Sequence, residues 1–188
     1  MNYNQIILGI DPGTVILGYG LIGIIGKDIH LITLGVLKLS KYDSQALRLK
    51  KIFERILGIV EEYKPDELAI EAPFYAKNVQ SMLKLGRAQG VAMAAALFRD
   101  IPITEYSPRE IKRSITGNGN ASKEQVAGML GNLVKLPENL ESYDATDALA
   151  VAVCHFFNQG KVTSKKGYNS WKNFISENPD RIKKPKTP

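Results

Sequence analysis

An α/β fold, with a mixed five-stranded sheet flanked by helices, is what this sequence predicts. Three observations carry that reading. Residues 5–40 hold three successive apolar, β-branched runs. Two shorter runs of the same kind, 67–72 and 101–106, each follow a helical segment, and helix-start signals recur after the last of them. Strands joined first by turns and then through helices give a sheet of mixed direction.

The first strand is QIILGI (5–10), a continuous apolar run that stops at Asp11, as a buried central strand does. TVILGYGLIGIIG (14–26) and DIHLITLGVLKLS (28–40) alternate roughly and are separated by Gly26-Lys27-Asp28, so the three form an antiparallel meander. In DSQALRLKKIFERILGIVEEYK the residues Leu47, Ile52, Phe53, Ile56, Leu57 and Val60 recur at helical spacing after an Asp/Ser start, and Pro65 ends the helix. ELAIEA (67–72) is a short buried strand with Glu71 near its end. Residues 78–98 form an Ala-rich helix with Gly86 and Gly90 four apart, a spacing that lets another element approach closely, either its own sheet or a twin subunit. IPITEY (101–106) is the fifth strand. SPRE (107–110) and SKEQ (122–125) each put a serine N-cap three residues before Glu or Gln, so two short helices carrying Lys112 and Lys123 flank the loop TGNGNA. From Ala145, ATDALAVAVCHFF reads as a buried helix.

With 188 residues, 44% of them hydrophobic and 23% charged, the chain can bury one medium core. Its single cysteine, Cys154, leaves no internal disulfide or cysteine-rich zinc site and suits a reducing cytoplasm. The start MNYNQIILGIDPGT has neither a basic n-region nor a long apolar h-region, so no signal peptide is expected. No apolar run approaches the ~18–20 residues of a membrane span. Eight Lys/Arg and two acids fall after Gly160, so residues 1–160 carry 17 charges of each sign and the net +6 sits in the tail. The expected organisation is a folded domain over 1–158 and a basic, flexible tail over 159–188. Such a tail is either simply solvated or drawn to nucleic acid by phosphate attraction.

Several acids sit where an apolar stretch has no structural use for charge. Asp11 ends the first strand, Glu71 ends the fourth, and Asp144 and Asp147 stand three apart on one face of the last helix. Ligands collect beyond the carboxyl ends of strands in an α/β sheet, and parallel pairing of the first and fourth strands would bring Asp11 beside Glu71. Taken singly, each has an ordinary explanation: DPG is good turn chemistry, and Asp144 could cap its helix. Together they would repel by about 4 kcal/mol per pair at contact distance and intermediate dielectric. No lysine or arginine adjoins them within their own strand or turn, so a divalent cation is the simplest compensation, and an all-oxygen set favours Mg²⁺ or Mn²⁺ over zinc. Two-metal carboxylate sites serve phosphoryl chemistry, in which nearby cations such as Lys112 and Lys123 could stabilise developing charge. Phe74 and Tyr75, in the loop after Glu71, suit either base stacking or core insertion.

The stretches GIDPGTVILGYG (9–20), AIEAPFYAKNVQSMLKLGRAQGVA (69–92), EYSPREIKRSITGNGNASKEQV (105–126) and YDATDALAVAVCH (143–155) together resemble the RuvC family of Holliday-junction resolvases, in the family's order and spacing. The resemblance implies a ribonuclease H-like fold and a cytoplasmic homodimeric Mg²⁺-dependent endonuclease, with Mn²⁺ substituting and two ions per subunit. Such an enzyme nicks two opposed strands of four-way junction DNA symmetrically, in recombination and repair, leaving 5′-phosphate and 3′-hydroxyl ends. Carried over by motif, Asp11, Glu71, Asp144 and Asp147 are catalytic metal ligands, and Lys112 and Lys123 are catalytic and DNA-binding. Phe74 stacks on a base near the crossover, and the helix of Gly86 and Gly90 forms the dimer interface. The RuvA–RuvB branch-migration complex is the implied partner. Some relatives place a histidine where this chain has Asp147. His155, about two turns further along, reads as structural.

GIDPGT alone also suggests an actin-like or sugar-kinase ATPase. Those folds need a second glycine-rich phosphate loop and an adenosine-binding segment, and the chain is too short for them and shows neither. A catalytically silent junction-binding module would be expected to lack at least one acid. A ribonuclease H-like nuclease acting on RNA fits the aromatic loop and paired lysines less well.

Overall fold

The computed structural model describes residues 2–73, 78–137 and 143–159. Phe74, Tyr75 and the basic tail from Lys161 lie outside the described residues. Residues Met1–Asn158 form one compact unit.

Three long strands, β1 (Gln5–Asp11), β2 (Ile16–Ile25) and β3 (Asp28–Lys38), pair antiparallel in succession. Helix α1 (Gln45–Tyr63) leads to β4 (Glu67–Glu71), which lies parallel to β1, and α2 (Val79–Leu97) leads to β5 (Ile103–Tyr106), parallel to β4. The sheet order is β3-β2-β1-β4-β5. Then follow α3 (Pro108–Thr116), α4 (Lys123–Leu133) and α5 (Tyr143–Asn158).

Local chemistry sets the boundaries. Ser107 and Ser122 cap α3 and α4 through complete capping boxes with Glu110 and Gln125. The end of α1 is made by Lys64, in the left-handed region at φ 48°, whose N–H bonds the Val60 carbonyl; Pro65 merely follows. Strand β5 is shorter than the apolar run because Pro102 has no N–H to give, although its carbonyl still accepts from Leu68. Helix α5 begins at Tyr143, earlier than its apolar pattern, so Asp144 lies inside the first turn.

The strands alternate between two cores. Leu8, Ile10, Leu17, Leu21, Leu68 and Ile70 face α1 and α2. Ile7, Ile22, Ile24 and Ala69 face α5, with α3 and α4 packed over it. Enclosed on both sides, α5 is buried continuously from Ala148 to His155, which explains its all-round apolar surface. His155, near its far end, is 5% exposed. It bonds Glu67 of β4 through Nε2 at 2.6 Å and the Tyr106 hydroxyl of β5 through Nδ1 at 2.9 Å, tying helix to sheet away from the acids. Among the described residues no helix is long and apolar enough to cross a membrane.

Among the described residues, none lies close to the open side of the α2 glycines. A Cβ on Gly86 or Gly90 would meet nothing within 4 Å, while Val79 and Leu83 on the same helix are 67% and 57% exposed. Of the two explanations the spacing allowed, close packing on the protein's own sheet finds no support among the described residues.

Candidate active site

Parallel pairing of β1 and β4, in register from Ile7↔Glu67 to Ile10↔Ile70, ends both strands at acids on the same edge of the sheet. Asp11 and Glu71 thereby become neighbours, as their strand-terminal positions require. The first turns of α5 lie over this edge. Carboxylate oxygens of Asp11, Asp144 and Asp147 come within 4.8 Å of one another. Glu71 stands outside that trio but lines the same cavity of about 190 Å³ as Asp11 and Asp147.

The remaining walls come from α3 and α4: Pro108, Ile111, Lys112, Lys123 and Val126, with Ala150 of α5 behind them. Both lysines therefore line the same cavity as the acids. Lys123 Nζ lies 2.5 Å from Asp147 Oδ2 and 4.0 Å from Asp144 Oδ1. No basic side chain adjoins the acids within their own strands or turns, as the sequence indicated. The fold delivers an ammonium group from another helix, and that hydrogen bond to Asp147 pushes the Lys123 pKa up from its ordinary value.

One lysine at contact, and a second along the wall, do not balance four carboxylates. Burial, followed by the charges of Glu71 and Asp147, pushes Asp11 up to about 8. Burial, followed by Asp147, pushes Glu71 up to about 7, with Lys123 and Lys112 opposing. Excess negative charge is thus held in a partly enclosed place, and the protein lowers its cost by keeping protons there. A divalent cation does the same without protons. In an octahedral Mg²⁺ site with oxygens at about 2.1 Å, adjacent ligands lie about 3 Å apart and opposite ones about 4.2 Å, so the trio would hold one ion once its oxygens draw together.

Asp11, Glu71, Asp144, Asp147, Lys112 and Lys123 are thus brought together by five elements. Phe74 lies outside the described residues, and Gly86 and Gly90 are on α2, which contributes nothing to this cavity. Sequence reading missed the apolar back wall of Ile111, Val126 and Ala150; helical periodicity in α3 was the available signal.

Comparison with known proteins accords with this geometry. The family model for crossover junction endodeoxyribonuclease RuvC matches residues 7–155. The RuvC of Cytophaga hutchinsonii is 60% identical over 180 residues, covering 96% of this chain and 89% of that protein. The RuvC of Porphyromonas gingivalis is 56% identical over 184 residues, covering 95% and 97%. Among solved structures, Thermus thermophilus RuvC in complex with Holliday junction substrate superposes with a TM-score of 0.76 at 31% identity, covering 82% of this chain and 94% of that one. The architecture is ribonuclease H-like, and the match spans all four acids and both lysines. By sequence and by structure, this chain belongs to the crossover junction endodeoxyribonuclease RuvC family.

Proposed function

We propose that this protein resolves four-way DNA junctions in recombination and repair by symmetric paired nicks, through divalent-metal-assisted phosphodiester hydrolysis that leaves 5′-phosphate and 3′-hydroxyl ends. The observation that carries the reading is the convergence of Asp11, Asp144 and Asp147 with Glu71, Lys112 and Lys123 at one edge of the sheet.

Asp11, Glu71, Asp144 and Asp147 would hold Mg²⁺, or Mn²⁺ in its place, as two ions per subunit. When bound, such cations supply Lewis-acid polarisation of the scissile phosphate and a more acidic water. The side chains do the rest. Lys123 orients Asp147 and offsets part of its charge. Lys112, also on the cavity wall, would meet a phosphate entering from solvent and stabilise charge on its oxygens. Ile111, Val126 and Ala150 exclude water from the back of the site and strengthen each of these interactions.

Paired cutting follows from a homodimer, since two identical sites related by a two-fold axis match two phosphates related by the junction's own symmetry. The open face of α2, with Gly86 and Gly90 beside exposed Val79 and Leu83, supports that helix as the interface. Phe74, carried over from the EAPFYAKN motif, would stack on a base at the crossover. Family membership supports RuvA–RuvB as the partner and the cytoplasm as the place of action.

The test is incubation with a synthetic four-way junction and with linear duplex in Mg²⁺. Symmetric nicks on the junction alone support the reading; equal cutting of linear duplex, or ATP turnover, overturns it. Removing 161–188, which carries the whole net charge of +6, lowers affinity for DNA at low salt while sparing the preference for junction over duplex. Gel-shift titrations of both DNAs across salt concentrations check this, and loss of the preference would give the tail a specific role.

A further inference from the structure

The sequence stretch LGYG (17–20) has no part in the chemistry, yet the structure puts its glycines under the acidic cluster. On the face of the sheet toward α5, β1 and β2 present three successive cross-strand pairs: Ile7 opposite Ile22, Gly9 opposite Gly20, and Asp11 opposite Gly18. On β2 this face gives way from Ile22 to two successive glycines toward the active edge. A Cβ on Gly18 would lie 2.1 Å from the Asp144 carbonyl oxygen and 2.9 Å from its carbon. One on Gly20 would lie 2.9 Å from Cα of Leu149, and one on Gly9 would lie 2.2 Å from the Ala148 carbonyl oxygen. Helix and strands therefore meet backbone against backbone. The atoms in the way are main-chain atoms, which cannot swing aside as a flexible side chain would.

We infer that Gly18 is a positioning residue for the metal-binding acids: its missing side chain sets the depth at which the first turn of α5 rests beside Asp11, and so the spacing of Asp144 and Asp147 from Asp11. The inference rests on the metal-site reading above. Gly18 lies directly across the β1–β2 ladder from Asp11 and touches the peptide of Asp144, so any adjustment there falls between the two halves of the trio. An alanine would need roughly 1 Å of added separation to reach ordinary contact, and a displacement of ~1 Å in a catalytic constellation can cost ~10²-fold. Gly20 bears on the same helix at Leu149, beyond both acids, where lifting the helix costs packing without separating the carboxylates so directly.

The experiment compares Gly18→Ala, Gly20→Ala and, as a control, Gly58→Ala in the full-length protein. A Cβ at Gly58 on α1 meets nothing within 4 Å. Mn²⁺ affinity is measured by titration calorimetry, melting temperature with and without Mn²⁺, and junction binding without metal. Gly18→Ala is expected to weaken Mn²⁺ binding by about 10- to 100-fold with junction binding retained. Gly20→Ala is expected to lower the melting temperature while holding Mn²⁺ affinity within about twofold, a shift of under 0.5 kcal/mol. Ala148→Ser adds one atom to the helix side of the same contact, since Ala148 Cβ lies 3.2 Å from a Cβ on Gly18. It serves should Gly18→Ala not fold, with a smaller weakening of the same sign expected. Unchanged Mn²⁺ affinity in the folded variant, or equal weakening by Gly18→Ala and Gly20→Ala, overturns the positioning role. A wild-type protein that binds no Mn²⁺ overturns the metal reading beneath it.

Discussion

Asp11→Asn is expected to lower junction cleavage by about 10³-fold or more, to leave junction binding in place, and to make the metal-free protein more stable. The first effect follows from position. Asp11 belongs to the trio within 4.8 Å and shares its cavity with Glu71, so its charge enters every arrangement that could hold a cation there. Amide for carboxylate is nearly isosteric, and neither Lys112 nor Lys123 is removed, so phosphate attraction persists. The third effect distinguishes this from ordinary core damage. Asp11 is pushed up to about 8 by burial and then by Glu71 and Asp147, so near neutral pH the fold works against its ionised form. The folded protein must keep a proton there that the unfolded chain gives up, so replacing the titrating group should return about 2 kcal/mol or more to the metal-free protein, each pH unit of displacement being worth about 1.4 kcal/mol. Single-turnover cleavage, gel shift and urea unfolding in chelator measure the three effects. An inactive but destabilised variant would mean that the acids are held by some other charge balance.

The second large effect is in pH. Raised carboxyl pKa values mean that the folded protein keeps protons the unfolded chain has already released. The contribution of Asp11 and Glu71 to stability is therefore fullest below about pH 4, and it is lost as pH rises through about 7 for Glu71 and about 8 for Asp11. In chelator, unfolding free energy should fall across that window by several kcal/mol. Divalent cations compete with those same protons, so Mg²⁺ affinity should rise with pH, and binding should release protons to the buffer. Adding Mg²⁺ should flatten the stability profile, and cleavage should climb to a plateau above about pH 8. Melting curves across pH with Mg²⁺ and with chelator test this, together with calorimetry in buffers of different ionisation enthalpy. A chelated protein whose stability holds level from about pH 5 to about pH 9 would show that the carboxylates are not crowded together.

The four acids were legible because each breaks an apolar pattern: a strand such as β1 or β4 gains nothing from a terminal charge, and a helix buried as deeply as α5 gains nothing from Asp147. The helix starts were equally plain, since Ser107 with Glu110 and Ser122 with Gln125 are local hydrogen-bonding units. Lys123 was harder. It is 24 residues from Asp147, and only the packing of α4 over α5 puts its ammonium group on that carboxylate. The glycines divided in the same way. Gly86 and Gly90 drew attention through helical spacing, yet among the described residues they face open space. Gly18 and Gly20 read as ordinary strand residues, yet they bear against α5.

By itself, then, the sequence determined most of the elements, the serine caps of α3 and α4, the mixed sheet and which acids stand out of place, because these follow from periodicity, turn chemistry and charge placed where burial forbids it. Tertiary structure alone decided the distances: which carboxylates form the trio, which lysine reaches them, and how deeply α5 settles onto β1 and β2. Those depend on contacts between residues far apart in the chain, where differences of an ångström separate a working charge cluster from a scattered one, and local sequence pattern carries no record of them.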